Sequence, residues 1–161
     1  MTTSPAHSHP PQARPAAGGV HVHAWIPNEH GEVLLVPSGS SHMQLPGGPA
    51  DIADTDVGAL VAHVESQVGI VVIPMGLLGT DRLPDVRHLI MLCARVDSTG
   101  LARSIDPQRY HWARLDTLQH EMPPRMHRQL TVLWQAWESG RALALSNGRP
   151  GVSSRPPTPQ V

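Results

Sequence analysis

Apolar and polar positions alternate first along Val20-His21-Val22-His23-Ala24-Trp25-Ile26, the period of a strand with one face toward a core. The turn formers Pro27-Asn28-Glu29-His30-Gly31 follow and the short run 32–36 returns, so residues 20–36 read as a hairpin. Met43-Gln44-Leu45 is extended, because Pro46 disfavours helix in the residue before it. The period then changes. Val57, Leu60, Val61, Val64 and Val68 recur at helical spacing, with Thr55 or Asp54 as N-cap and Gly69 as the stop. The β-branched run 70–78 predicts a strand, bulged or at an edge because of Pro74. Residues 80–87 read as a polar loop, 89–96 as a central apolar strand, 110–114 as a short strand and 115–121 as a helical turn. The last helix covers 124–139, opened by Pro123 and Pro124 and closed by Gly140. Met126, Leu130, Leu133 and Trp137 form its stripe.

This order describes an α/β fold: one mixed sheet with a helix on each face, an α/β/α sandwich. The 161 residues suit one domain with one core and show no internal repeat. Residues 1–18 and 144–161, rich in Pro with Ala, Ser, Gly or His, read as disordered tails around a domain at 19–143. A net charge of −1 supplies no field to draw in nucleic acid or an anionic membrane. No apolar run approaches the roughly 18 residues of a membrane span. A nucleic-acid or membrane partner is therefore not implied, the setting reads as cytoplasmic, and a homodimer is compatible with this reading. Cys93, the one cysteine, lies in the apolar run and reads as a core residue. The absence of lysine beside many Arg and Pro residues suggests a high-GC bacterial source. Eleven histidines add one candidate: His21 and His23 share a strand face at a spacing that can ligate a metal, the plainer reading being a half-exposed outer strand.

Residues 45–70, LPGGPADIADTDVGALVAHVESQVGI, carry the remaining chemistry. Pro46-Gly47-Gly48 lets the backbone turn tightly and come close to a ligand. The spacing resembles the signature of the Nudix hydrolase superfamily: a glycine, five residues, Glu, seven residues, then Arg-Glu-apolar-any-Glu-Glu-any-Gly-apolar. Here Gly48 is followed by five residues and Asp54, then by seven residues and Ala62-His63-Val64-Glu65-Ser66-Gln67-Val68-Gly69-Ile70. Glycines, apolar positions and every interval fit over a resemblance spanning roughly residues 19–140. The charged positions depart: Ala62 replaces the Arg, and His63, Ser66 and Gln67 replace the helix carboxylates. The resemblance implies the Nudix sandwich and phosphoanhydride cleavage, with Mg²⁺ or Mn²⁺ bridging a diphosphate and activating the attacking water.

Positions 63, 66 and 67 share a helix sector of about 100°, where three glutamates would converge on metal. This chain offers an imidazole, a hydroxyl and an amide, three formal charges fewer. Glu65 lies about 160° from positions 63 and 67 and reads as a solvated charge. Hard divalent ions want anionic oxygens, and an imidazole tilts preference toward Mn²⁺ or Zn²⁺. Carried over residue by residue, the resemblance leaves Asp51, Asp54, His63 and Gln67 as metal ligands, beside the Gly47 carbonyl. Gly47 and Gly48 remain as substrate-binding backbone, and His63 and Glu121 as catalytic candidates. Three functions follow. The favoured one is a Nudix-fold protein that binds a nucleotide or other diphosphate-linked small molecule with weak or lost hydrolysis. The others are an active hydrolase with a rebuilt divalent-metal site, and a ligand-sensing or protein-interaction module.

Overall fold

The computed structural model describes residues 19–39, 41–53, 55–95, 109–120 and 122–150. Strand β1 (Gly19–Trp25) is its hub, pairing antiparallel with β4 (Gly47–Pro49) and parallel with β6 (Val86–Arg95). Strand β5 (Val72–Arg82) runs antiparallel to β6, and β8 (Leu143–Ser146) lies parallel to β5. With β9 (Arg149–Pro150) they form a six-stranded mixed sheet in the order β4-β1-β6-β5-β8-β9. Strands β3 (Met43–Gln44), β2 (Val33–Pro37) and β7 (His111–Ala113) make a second, antiparallel sheet.

The two helices cover opposite faces, as the periods predict. Helix α1 (Asp56–Val68) buries Ala59, Leu60, Val64 and Val68 against Val22 and Ala24 of β1. Helix α2 (Pro124–Ser139) buries Leu130, Leu133 and Ala136 in a second core that contains Trp25, the residue following Ala24 on β1. Side chains alternate across a strand, so one strand feeds both cores. Local signals set the helix ends: the Thr55 hydroxyl accepts from the Gly58 N–H at 3.0 Å, and Gly69 ends α1 with φ 79°. Cys93 is buried in the first core. Among the described residues no helix is long and apolar enough to cross a membrane.

Four expectations need correction. Residues 20–36 turn back through Pro27 and Val33, but β1 and β2 then diverge into separate sheets and do not form a hairpin. The expected loop at 80–87 is mostly strand, with β5 and β6 joined by a tight turn closed from the Leu83 N–H to the Val86 carbonyl. Two register shifts in β5, around Pro74 to Gly76 and Leu77 to Gly79, absorb the proline as bulges. Val57, placed on the apolar stripe of α1, lies in the first turn of the helix and is 45% exposed. Residues 144–150, assigned to a tail, instead form β8, an Asn147-Gly148 turn with positive φ at both residues, and β9.

Candidate functional site

The glycine turn and α1 meet through side chains at the positions where the Nudix signature has carboxylates. In the antiparallel β1–β4 pair the Ala24 N–H donates to the Pro46 carbonyl, so Gly47, opposite His23, is a non-hydrogen-bonded position. Its N–H and C=O therefore point away from β1, toward α1. Gln67 takes both: its Oε1 accepts from the Gly47 N–H at 2.9 Å and its Nε2 donates to the Gly47 carbonyl at 2.8 Å. Beside it, His63 Nε2 donates to the Pro49 carbonyl at 2.9 Å. Gly47 is buried, with φ 150°, and a Cβ there would collide with the Val22 carbonyl oxygen; a Cβ on Gly48 would strike the His63 ring. Gly47 is thus demanded by the close approach of backbone, whereas at Gly48 only the His63 side chain stands in the way.

The other candidates do not join this cluster. Asp51 is exposed in the short 3₁₀ turn Ala50–Ile52, and Ser66 is exposed, its carbonyl accepting from Arg109 Nη2 at 3.0 Å. Glu65 is exposed. Asp54 and Glu121 lie outside the described residues. Neutral donors already paired with backbone do not match what Mg²⁺ requires, near-octahedral anionic oxygens. Among the described residues, no three ligating side chains gather at the box.

Three do gather on the far side of β1. His21 and His23 project from β1 toward α2, and the parallel register sets His88 of β6 directly beside His21. Their ligating atoms lie within 4.8 Å of one another, and His23 Nε2 is 2.8 Å from His88 Nδ1. Burial, reinforced by the neighbouring His88 and His21, pushes the His23 pKa down to about 3. Burial also lowers His88, helped by His21 and Arg125. The cluster opens on a pocket of about 150 Å³ whose other walls include Gln44, Leu45, Arg125 and Gln129.

Arg125 is held in place by Asp81, which is 0% exposed, at 3.0 Å. The Asp81 carboxylate also accepts from Gln129 Nε2 and from the Gly148 N–H, each at 3.0 Å, so it fastens α2 to the β8–β9 turn. Asp81 is the register partner of His88 and the one neighbour that favours its protonation. The sequence analysis named His21 and His23 as a possible pair but missed His88, 65 residues away, and it missed Asp81 and Arg125.

No family model matches the chain, and no curated protein matches it in sequence. Solved structures do. A UDP-X diphosphatase superposes with a TM-score of 0.63 at 19% identity, over 84% of this chain and 70% of that one. An ADP-ribose pyrophosphatase from Streptococcus suis 89-1591 gives 0.62 at 19% identity, over 80% and 98%. A Nudix hydrolase from Nitrosomonas europaea gives 0.64 at 14% identity, over 84% and 85%. The chain has the Nudix fold. Helix α1 and the Gly47-Gly48 turn, which the sequence resemblance aligns with the Nudix box, are joined by the Gln67 amide. The three-histidine pocket lies across β1 from the box.

Proposed function

We propose that this Nudix-fold protein binds a nucleotide or other diphosphate-linked small molecule in the cytoplasm and hydrolyses it weakly or not at all. One observation carries the reading: the amide of Gln67 spends both its polar groups on Gly47, at the junction where the family's chemistry calls for carboxylate and metal. Each neutral hydrogen bond contributes about 0.5–1.5 kcal/mol, so the pair holds the turn against the helix without an ion. A turn kept in shape while its anionic ligands are gone suits recognition better than water activation. The similar structures include proteins named for UDP-X and for ADP-ribose, which supports the ligand class.

The test is phosphate release from nucleoside di- and triphosphates, nucleotide sugars and dinucleoside polyphosphates with Mg²⁺, Mn²⁺ or chelator. A His63→Glu/Ser66→Glu/Gln67→Glu variant is run beside the native chain. The expected result is no turnover by the native protein, together with a ligand-induced rise in melting temperature that persists in chelator. Metal-dependent turnover by the native chain would overturn the proposal.

A further inference from the structure

The geometry points to a transition-metal site formed by His21, His23 and His88, with its open coordination position facing the Arg125 pocket. It is separate from the Nudix box and independent of how the box is read. Three observations support it. First, two histidines two apart on β1 and a third on the parallel neighbour converge, with all three ligating atoms within 4.8 Å. Ligand nitrogens about 2.0–2.1 Å from a tetrahedral Zn²⁺ stand about 3.3 Å apart, between the 2.8 Å of the His23–His88 contact and the 4.8 Å span of the cluster.

Second, His23 is already arranged to present a lone pair. His23 bonds the Leu45 backbone as well as His88, and its Nε2 is the atom facing the partner ring. A ligating histidine characteristically donates its other N–H to a backbone carbonyl, which fixes tautomer and ring orientation. Metal entry then requires that His88 turn a proton-free ring nitrogen toward the ion in place of its contact with His23.

Third, the surroundings select the ion. Three neutral imidazoles with no carboxylate among them favour Zn²⁺, Co²⁺, Ni²⁺ or Cu²⁺ over Mg²⁺ or Ca²⁺. Asp81, the nearest carboxylate, is committed to Arg125, Gln129 and Gly148 and does not enter the coordination sphere. Three protein nitrogens leave a fourth position, which opens on the pocket beside the Arg125 guanidinium. A divalent ion there, next to a fixed cation, takes water or a small anion such as phosphate or a carboxylate.

The experiment titrates the full chain, stripped by chelator and dialysed, with Zn²⁺ and with Co²⁺, whose visible absorption reports four-coordinate geometry. About one equivalent is expected, with the intense Co²⁺ bands. Losing a group that only orients a ligand weakens metal affinity about 10–100-fold, so His21→Asn and His88→Asn should each weaken it by at least that factor. A His7→Ala/His9→Ala variant, which removes two histidines of the Pro-rich segment 1–18, should bind like the native chain. Since a substitution could disturb the fold, Zn²⁺ protection from diethylpyrocarbonate is also mapped in the native protein, and His21, His23 and His88 should be the protected residues. Absence of stoichiometric uptake, uptake unchanged in both strand variants, or protection confined to other histidines would each overturn the site.

Discussion

Gln67→Glu is nearly isosteric, yet the structure assigns it a definite cost. The carboxylate still accepts from the Gly47 N–H, but it has no proton for the Gly47 carbonyl, and two oxygens then face each other where the amide now donates at 2.8 Å. Gly47 is buried and its carbonyl points away from β1, so neither the sheet nor bulk water replaces the lost donor. A buried acceptor left without a partner costs about 1–3 kcal/mol. At roughly 2 kcal/mol, a chain of this size melts about 4–8 °C lower. The assay is thermal unfolding by circular dichroism in chelator at pH 7. Two internal checks follow. The gap should narrow as pH falls through the usual carboxylate range near 4, because a protonated acid regains the donor. Mg²⁺ should raise the melting point of the variant more than that of the native protein, because the variant adds an anionic oxygen beside the Gly47 carbonyl. A variant melting within about 1 °C of native in chelator would refute the assigned role of the clamp.

The histidine cluster makes stability pH-dependent. The folded His23 pKa of about 3 lies below the ordinary 6.5, so between these values the unfolded chain binds more protons. Stability is fully present above pH 6.5 and falls by up to about 1.4 kcal/mol per unit below it, and urea melts in chelator should flatten in His23→Gln. Asp81→Asn leaves Arg125 without its buried counter-charge. Discounted because Arg125 is 40% exposed, the cost is about 2–3 kcal/mol, read as earlier denaturant unfolding and faster amide exchange at Gly148. Burial lifts the Cys93 thiol to about 12, so a thiol reagent at pH 8 should label it only after unfolding; rapid labelling of the folded chain would contradict its place in the core.

Local signals were legible and long-range pairings were not. Thr55, Gly69, Pro124 and Gly140 each act within one helical turn, and the structure places both helix ends where those residues do. His88 reaches His21 only because β1 and β6 run parallel, and nothing near either residue announces that register. The clamp was half visible. Sequence spacing showed that position 67 had lost its carboxylate, but a partner for the amide appears only once Gly47 is known to turn both backbone groups away from β1. The β8–β9 hairpin carried a short-range signal in Asn147-Gly148, which the Pro- and Ser-rich composition around it obscured.

The neutral residues at positions 63 and 67 explain how the turn keeps its shape. Three glutamates in one helix sector repel: two charges about 5 Å apart cost about 3 kcal/mol at an effective dielectric of 20, and a divalent ion ordinarily offsets that repulsion. A box with only the carboxylates deleted would gain electrostatic relief but leave the Gly47 and Pro49 backbone groups unpartnered. His63 and Gln67 supply a donor to Pro49 and a donor-acceptor pair to Gly47, which small apolar residues could not do. His63 and Gln67 therefore meet the hydrogen-bonding needs of the turn, whose geometry is held by neutral side chains.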